Sequence, residues 1–158
     1  MASPLVDFST LNCTDNLVPE ETLRKALPHI NEFQLIDGIC TVDVEREIVV
    51  GYKVWDEEPW WGLAHIPGRP MMPGVLMIEG CAQIAAILVE NFGEFPDDKF
   101  MALVGVDNTR VRRMIQPPAT VYFAGTLASH SSRIAKVKAQ CIIDGEIAVE
   151  TELRGVPV

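Results

Sequence analysis

At 158 residues, with 48% hydrophobic and 22% charged side chains, the chain has the composition of an ordinary globular protein, which excludes disorder and collagen-like repeats. A chain of this length buries roughly 70% of its unfolded surface, enough for one core without staples, so a single domain over 1–158 is expected, with 1–26 as an N-terminal extension carrying a short helix. Thirteen Lys and Arg against 22 Asp and Glu give a net charge of −9, which argues against nucleic acid and anionic membrane as partners.

Met1 to Thr10 has neither a basic nor an apolar stretch, so no secretory signal is read there and a cytoplasmic protein is expected. Cys13, Cys40, Cys81 and Cys141 form no C-x-x-C pair and have no His at ligand spacing. They read as reduced, mostly buried thiols, and no metal site is expected.

In chain order, Asp15 or Asn16 can cap a short helix that takes Pro19, Glu20 and Glu21 in its first turn and ends before Pro28. Leu35–Val42 and Ile48–Val54 read as a strand hairpin around the charged stretch 43–47. Pro59 to Gly74 carries four prolines and three glycines, so it is expected to be a shaped loop with neither helix nor strand. Val75 to Val89 is apolar nearly all round, with Glu79 and Gln83 as its strongly polar exceptions. Such a run predicts a buried helix, and it is shorter than a membrane span.

Beyond a polar connection, Phe100–Val111, Thr120–Ser129 and Arg133–Ile143 read as strands, the last with Lys136, Lys138 and Gln140 on its wet face. Asp144-Gly145 is a two-residue hairpin signal leading into a final alternating strand. About six strands and one long apolar helix give an α+β fold, a largely antiparallel sheet curled around the helix.

The segment from His65 to Glu79 joins an imidazole, a helix N-terminus at Pro73-Gly74 and a carboxyl. Free N–H groups at that terminus can polarise a substrate oxygen. In apolar surroundings Glu79 is expected to resist ionisation and serve as a general acid. Gln83, one turn further on, shares its face and can orient that carboxyl. There is no nucleophile elbow, phosphate loop or dinucleotide fingerprint.

These residues, together with Leu27-Pro28-His29, Phe33, Leu35 to Asp37 and Gly105 to Arg113, closely resemble the 3-hydroxyacyl-acyl-carrier-protein dehydratases of the FabZ type. The likeness runs from about Leu27 to Leu153. It implies a hot-dog fold, an antiparallel sheet wrapped around a long central helix, in a homodimer with joined sheets, with a trimer of dimers left open. It implies an active site shared between subunits, with His65 from one and Glu79 from the other. His65 would remove the proton alpha to the thioester, Glu79 would protonate the departing 3-hydroxyl, and the Gly74 N–H would polarise the carbonyl. Gln83, Pro73, Met72 and Trp61 would line the substrate site, and no cofactor would be needed. The substrate would be an acyl carrier protein or coenzyme A thioester. Because the carrier is acidic, Arg110, Arg112 and Arg113 are candidate docking residues, with Lys136 and Lys138 beside them. A hot-dog thioesterase and a non-catalytic acyl-binding or assembly subunit are the alternative readings.

Overall fold

The computed structural model describes residues 3–11 and 16–158, so Cys13 and Asp15 lie outside the described residues. Helix α1 spans Glu20–Ala26, with acidic residues in its first turn and Arg24 and Lys25 in its last, each complementing the helix dipole. Pro19, and not Asn16, is its N-cap. The Asn16 Oδ1 accepts instead from the N–H of Val18 and, at 2.9 Å, from that of Ile39, tying this segment to the first strand.

Strands β1 (Gly38–Asp43) and β2 (Ile48–Trp55) form the expected hairpin. The first begins three residues later than Leu35, because the Leu35 N–H donates to the Gln83 Oε1 at 2.9 Å and is withdrawn from any ladder. The Pro/Gly segment also departs from expectation: it opens with a five-residue helix, α2 (Trp60–Ala64), entered from Pro59. Proline suits the start of a helix, where its missing N–H is not needed.

Helix α3 spans Gly74–Phe92. Its length and hydropathy would suit a membrane span, yet Met77, Cys81, Ile84, Ala85 and Leu88 are fully buried as the core of the fold. The remaining strands are β3 (Met101–Val111), β4 (Ala119–His130), β5 (Ala135–Ile143) and β6 (Glu146–Pro157). One six-stranded sheet results, in the order β1-β2-β4-β5-β6-β3, with every pair antiparallel. Asp144 and Gly145, with φ of 51° and 73°, make the turn between β5 and β6.

The sheet curls around α3 because its strands carry notches for the helix. A Cβ on Gly125 of β4 would stand 2.7 Å from the Leu88 Cδ1, and one on Gly51 of β2 would stand 2.8 Å from the Ile84 Cδ1. The fit is reciprocal at Gly80 of α3, where a Cβ would lie 2.3 Å from the Phe123 ring. This is the α+β, helix-in-sheet arrangement expected of a hot-dog fold.

The face of the sheet turned away from α3 is not wholly wet. Leu5, Val6, Phe8 and Leu11 pack on Ile48, Val50, Ala124 and Ile142 in a second apolar cluster. Gln140, expected on the solvent face, is buried there. Its side chain accepts from the Leu5 N–H and donates to the Ser3 carbonyl, both at 2.9 Å. Cys40 of β1 is disulfide-bonded, which corrects the reading of all four cysteines as free thiols and removes the cysteine-based argument for a reducing compartment. Cys81 and Cys141 are free and buried.

Candidate functional site

His65 is the C-cap of α2, and its backbone N–H closes that helix on the Trp61 carbonyl. The Nδ1 of its exposed ring lies 2.9 Å from the carbonyl oxygen of Met71. A carbonyl can only accept, so Nδ1 carries the hydrogen, and in the neutral ring Nε2 is the nitrogen with the free lone pair. The loop 66–73 therefore returns on itself to fix a ring whose outer nitrogen is a proton acceptor. This loop is held to the body of the protein where the Met72 N–H donates to the Ile115 carbonyl at 2.8 Å.

Pro73 caps α3, its carbonyl accepting from the N–H groups of Leu76 and Met77. Gly74 and Val75 stand ahead of those first intrahelical bonds, so their N–H groups face out of the helix end. A Cβ at Gly74 would meet the Val111 Cγ2 at 3.3 Å, so glycine keeps this approach to the backbone narrow but open.

Glu79, five residues on, is half-buried, its side chain 25% exposed. The Gln83 Nε2 donates to its Oε1 at 2.9 Å, across one helical turn as the spacing predicts. The same amide donates to the Phe33 carbonyl at 2.8 Å, and its oxygen accepts from Leu35. Gln83 is thus a fully buried, fully satisfied clamp between α3 and the segment entering β1.

A second group on this carboxyl is one that spacing does not disclose. The His29 Nε2 lies 3.6 Å from the same Glu79 Oε1, with the imidazole stacked on Phe33 at a centroid distance of 5.9 Å. Fifty residues separate His29 from Glu79, and nothing local to His29 marks its place beside that carboxyl.

The remaining candidates are placed more variously. Met72 is buried. Trp61 is fully buried and packs edge-on against Trp55, their centroids 5.5 Å apart, so its ring belongs to the core beneath α2. Arg110, on β3, stands opposite Glu150 of β6. Arg112 is ion-paired with Glu150, Arg113 with Glu146 and Arg154 with Asp107. Lys136 and Lys138 are exposed on β5. No group of three His, Cys, Asp or Glu able to hold a metal ion occurs among the described residues.

Comparison with known proteins gives one consistent picture. Residues 27–152 match the family described as FabA-like domain. The chain is 34% identical over 126 residues to the 3-hydroxyacyl-(acyl-carrier-protein) dehydratase FabZ of Rickettsia felis, covering 80% of this chain and 86% of that one. It is 33% identical, with the same coverage, to the enzyme of that name from Rickettsia africae. Among solved structures, the dehydratase heterocomplex ApeI:P of Xenorhabdus doucetiae superposes with a TM-score of 0.68 at 15% identity, over 86% of this chain and 90% of that one. A thioesterase-like phenylacetic acid degradation-related protein of Ralstonia eutropha follows at 0.61 and 15%, over 88% and 92%. At those identities the likeness speaks for the fold.

Proposed function

Because the chain belongs to the FabA-like family, we propose that it is a hydro-lyase that dehydrates 3-hydroxyacyl thioesters, carried on acyl carrier protein, to trans-2-enoyl thioesters in fatty-acid or related acyl-chain synthesis. The observation that carries the assignment of roles is the clamp on Glu79. Gln83 donates to Oε1 at 2.9 Å, so when the carboxyl is protonated its hydrogen sits on Oε2. A general acid with one oxygen held and the other presenting a proton is poised to protonate a leaving hydroxyl.

The elimination then follows from the groups already placed. The His65 Nε2 takes the proton from the carbon alpha to the thioester, and negative charge moves onto the carbonyl oxygen. The Gly74 N–H, at the positive end of α3, stabilises that oxygen. As the double bond forms, the bond from C3 to its hydroxyl breaks, and the proton of Glu79 Oε2 leaves with it as water. One turnover leaves His65 protonated and Glu79 ionised, and return of one proton restores both. Met72 and Pro73 frame the thioester end of the site, and Trp61 backs its wall from the core.

The catalytic unit in this reading is a homodimer joined through β3, with His65 and Glu79 contributed by opposite subunits. In support, β3 is an edge strand, hydrogen-bonded to β6 on one side, and it exposes Leu103, Val104, Val106 and Val111. A long edge with exposed apolar side chains needs a cover. Docking of the acidic carrier is assigned to Arg110, Arg112 and Arg113, and the carboxylate partners of Arg112 and Arg113 are exchangeable at the surface.

The test is turnover in both directions, 3-hydroxyacyl to enoyl and back, with His65→Ala and Glu79→Gln as controls. Loss of activity in both variants is the expected result. Hydrolysis without enoyl formation would instead identify a thioesterase, and binding without turnover an acyl-binding subunit.

A further inference from the structure

We infer that His29 is a positioning residue for Glu79, acting as a second donor to Oε1 that keeps the acidic proton on Oε2. The inference rests on the dehydratase reading of the site and names a group that the reading does not use. His29 is 29% exposed through its side chain, and its Nε2 points at the Glu79 Oε1 from 3.6 Å. Its other ring nitrogen, Nδ1, is enclosed and has no hydrogen-bond partner.

These two observations decide the tautomer. Both the Nδ1–H tautomer and the imidazolium would bury an N–H with nothing to accept it, an expensive arrangement. The Nε2–H tautomer leaves only a lone pair unmatched and turns the donor toward the carboxyl. At 3.6 Å the pair lies just beyond hydrogen-bond distance, and a small closing movement of the ring makes the bond. The ring is held for that movement by its stack on Phe33. Phe33 in turn takes its second constraint from Gln83, which donates to its carbonyl oxygen.

His29, Phe33 and Gln83 therefore form one unit around a single carboxylate oxygen. With two donors on Oε1, rotation of the carboxyl that would exchange its oxygens sacrifices both contacts. With Gln83 alone, the carboxyl can pivot about one bond and present either oxygen to the substrate. The effect belongs to proton delivery, so it is expected in kcat and not in KM.

The experiment compares His29→Phe, which keeps the ring stack but has no N–H, with His29→Gln, whose side-chain amide restores a neutral donor. Glu79→Gln serves as the reference. His29→Phe is expected to melt with the wild-type protein, to keep its KM and to lose about tenfold to a hundredfold in kcat, the range for one hydrogen bond to a charged group. His29→Gln is expected to recover most of that loss. Wild-type kcat in a folded His29→Phe protein, with Glu79→Gln inactive, overturns the inference and leaves the dehydratase reading standing. An active Glu79→Gln protein overturns that reading itself. If His29→Phe does not fold, the ring ¹⁵N shifts of the wild-type protein decide, since an Nδ1–H tautomer at His29 is incompatible with the proposed role.

Discussion

Gln83 joins Glu79 to the strand-entry segment through three hydrogen bonds made by one amide: to the Glu79 Oε1 at 2.9 Å, to the Phe33 carbonyl at 2.8 Å and from the Leu35 N–H at 2.9 Å. Replacing it with Leu keeps the volume but strands the Leu35 N–H and the Phe33 carbonyl. Gln83→Leu is therefore expected to lose about 1–3 kcal/mol of stability, chiefly from the buried Leu35 N–H left unpaired. The loosened Glu79 carboxyl lowers kcat by at least about tenfold. Urea unfolding and steady-state kinetics on one preparation check both. A stable variant with normal kcat would show that the clamp is dispensable.

Gly80 and Phe123 make a paired notch and knob between α3 and β4. A methyl on Gly80 would fall 2.3 Å from the ring, so Gly80→Ala is expected to destabilise by about 1–3 kcal/mol, the range for overpacking. In a Phe123→Leu background the same substitution should fill space and recover part of the loss. A double-mutant cycle read by thermal unfolding gives the coupling, and strict additivity of the two changes would refute the contact.

Cys81 and Cys141, the free thiols among the described residues, carry a pH dependence whose sign is fixed by burial. Desolvation pushes the Cys81 thiol far above its ordinary value of 9.0. It pushes up Cys141 as well, with the neighbouring Cys81 adding to the effect. From about pH 9 upward the unfolded thiols release protons that the folded ones keep. Stability should then fall with rising pH, by about 1.4 kcal/mol per unit for each thiol, and show no thiol contribution below pH 9. Denaturant midpoints across pH 7 to 11 test this, and a Cys81→Ala, Cys141→Ala protein should show the shallower slope. Alkylating reagents should leave both thiols unmodified until the chain unfolds.

Arg112 and Arg113 are tied to Glu150 and Glu146, and pairs at that degree of exposure contribute little to stability. An acidic carrier can therefore replace those carboxylates at small cost. The Arg112→Ala, Arg113→Ala double variant is expected to fold normally and keep its kcat. It should raise KM about fivefold for carrier-borne substrate alone, an effect of encounter and register that added salt mimics in the wild type. An equal loss on coenzyme A thioesters would place these residues in the acyl site instead.

Periodicity and turn chemistry carried most of the architecture. The alternation in β5 and β6, the Asp144-Gly145 turn and the apolar run of α3 each declare their conformation within a few residues, because local sterics and one buried face decide them. Glu79 and Gln83 were readable together, since a turn of helix sets their separation. The parts that escaped depend on chain segments far apart. Leu35 looks like a strand residue until a glutamine 48 positions away takes its N–H. Gln140 looks like a solvent-face residue until Ser3 and Leu5 lie across it. The start of α2 is hidden by the surrounding prolines and glycines, although Pro59 is well suited to open a helix. His29 carries no local mark of its place beside Glu79.

The strap formed by Leu5, Val6, Phe8 and Leu11 changes what a neutral substitution is in this protein. Without that strap the outer side of this sheet would face water, where most substitutions cost little. Here Ala124 and Ile142 are fully enclosed on that outer side, so the sheet is sandwiched locally between two apolar layers. Transplanting these strands into a relative, or trimming the chain to residues 27–152, would expose a surface shaped as interior. The tolerance of the outer sheet to change is therefore set by residues that lie outside the family match.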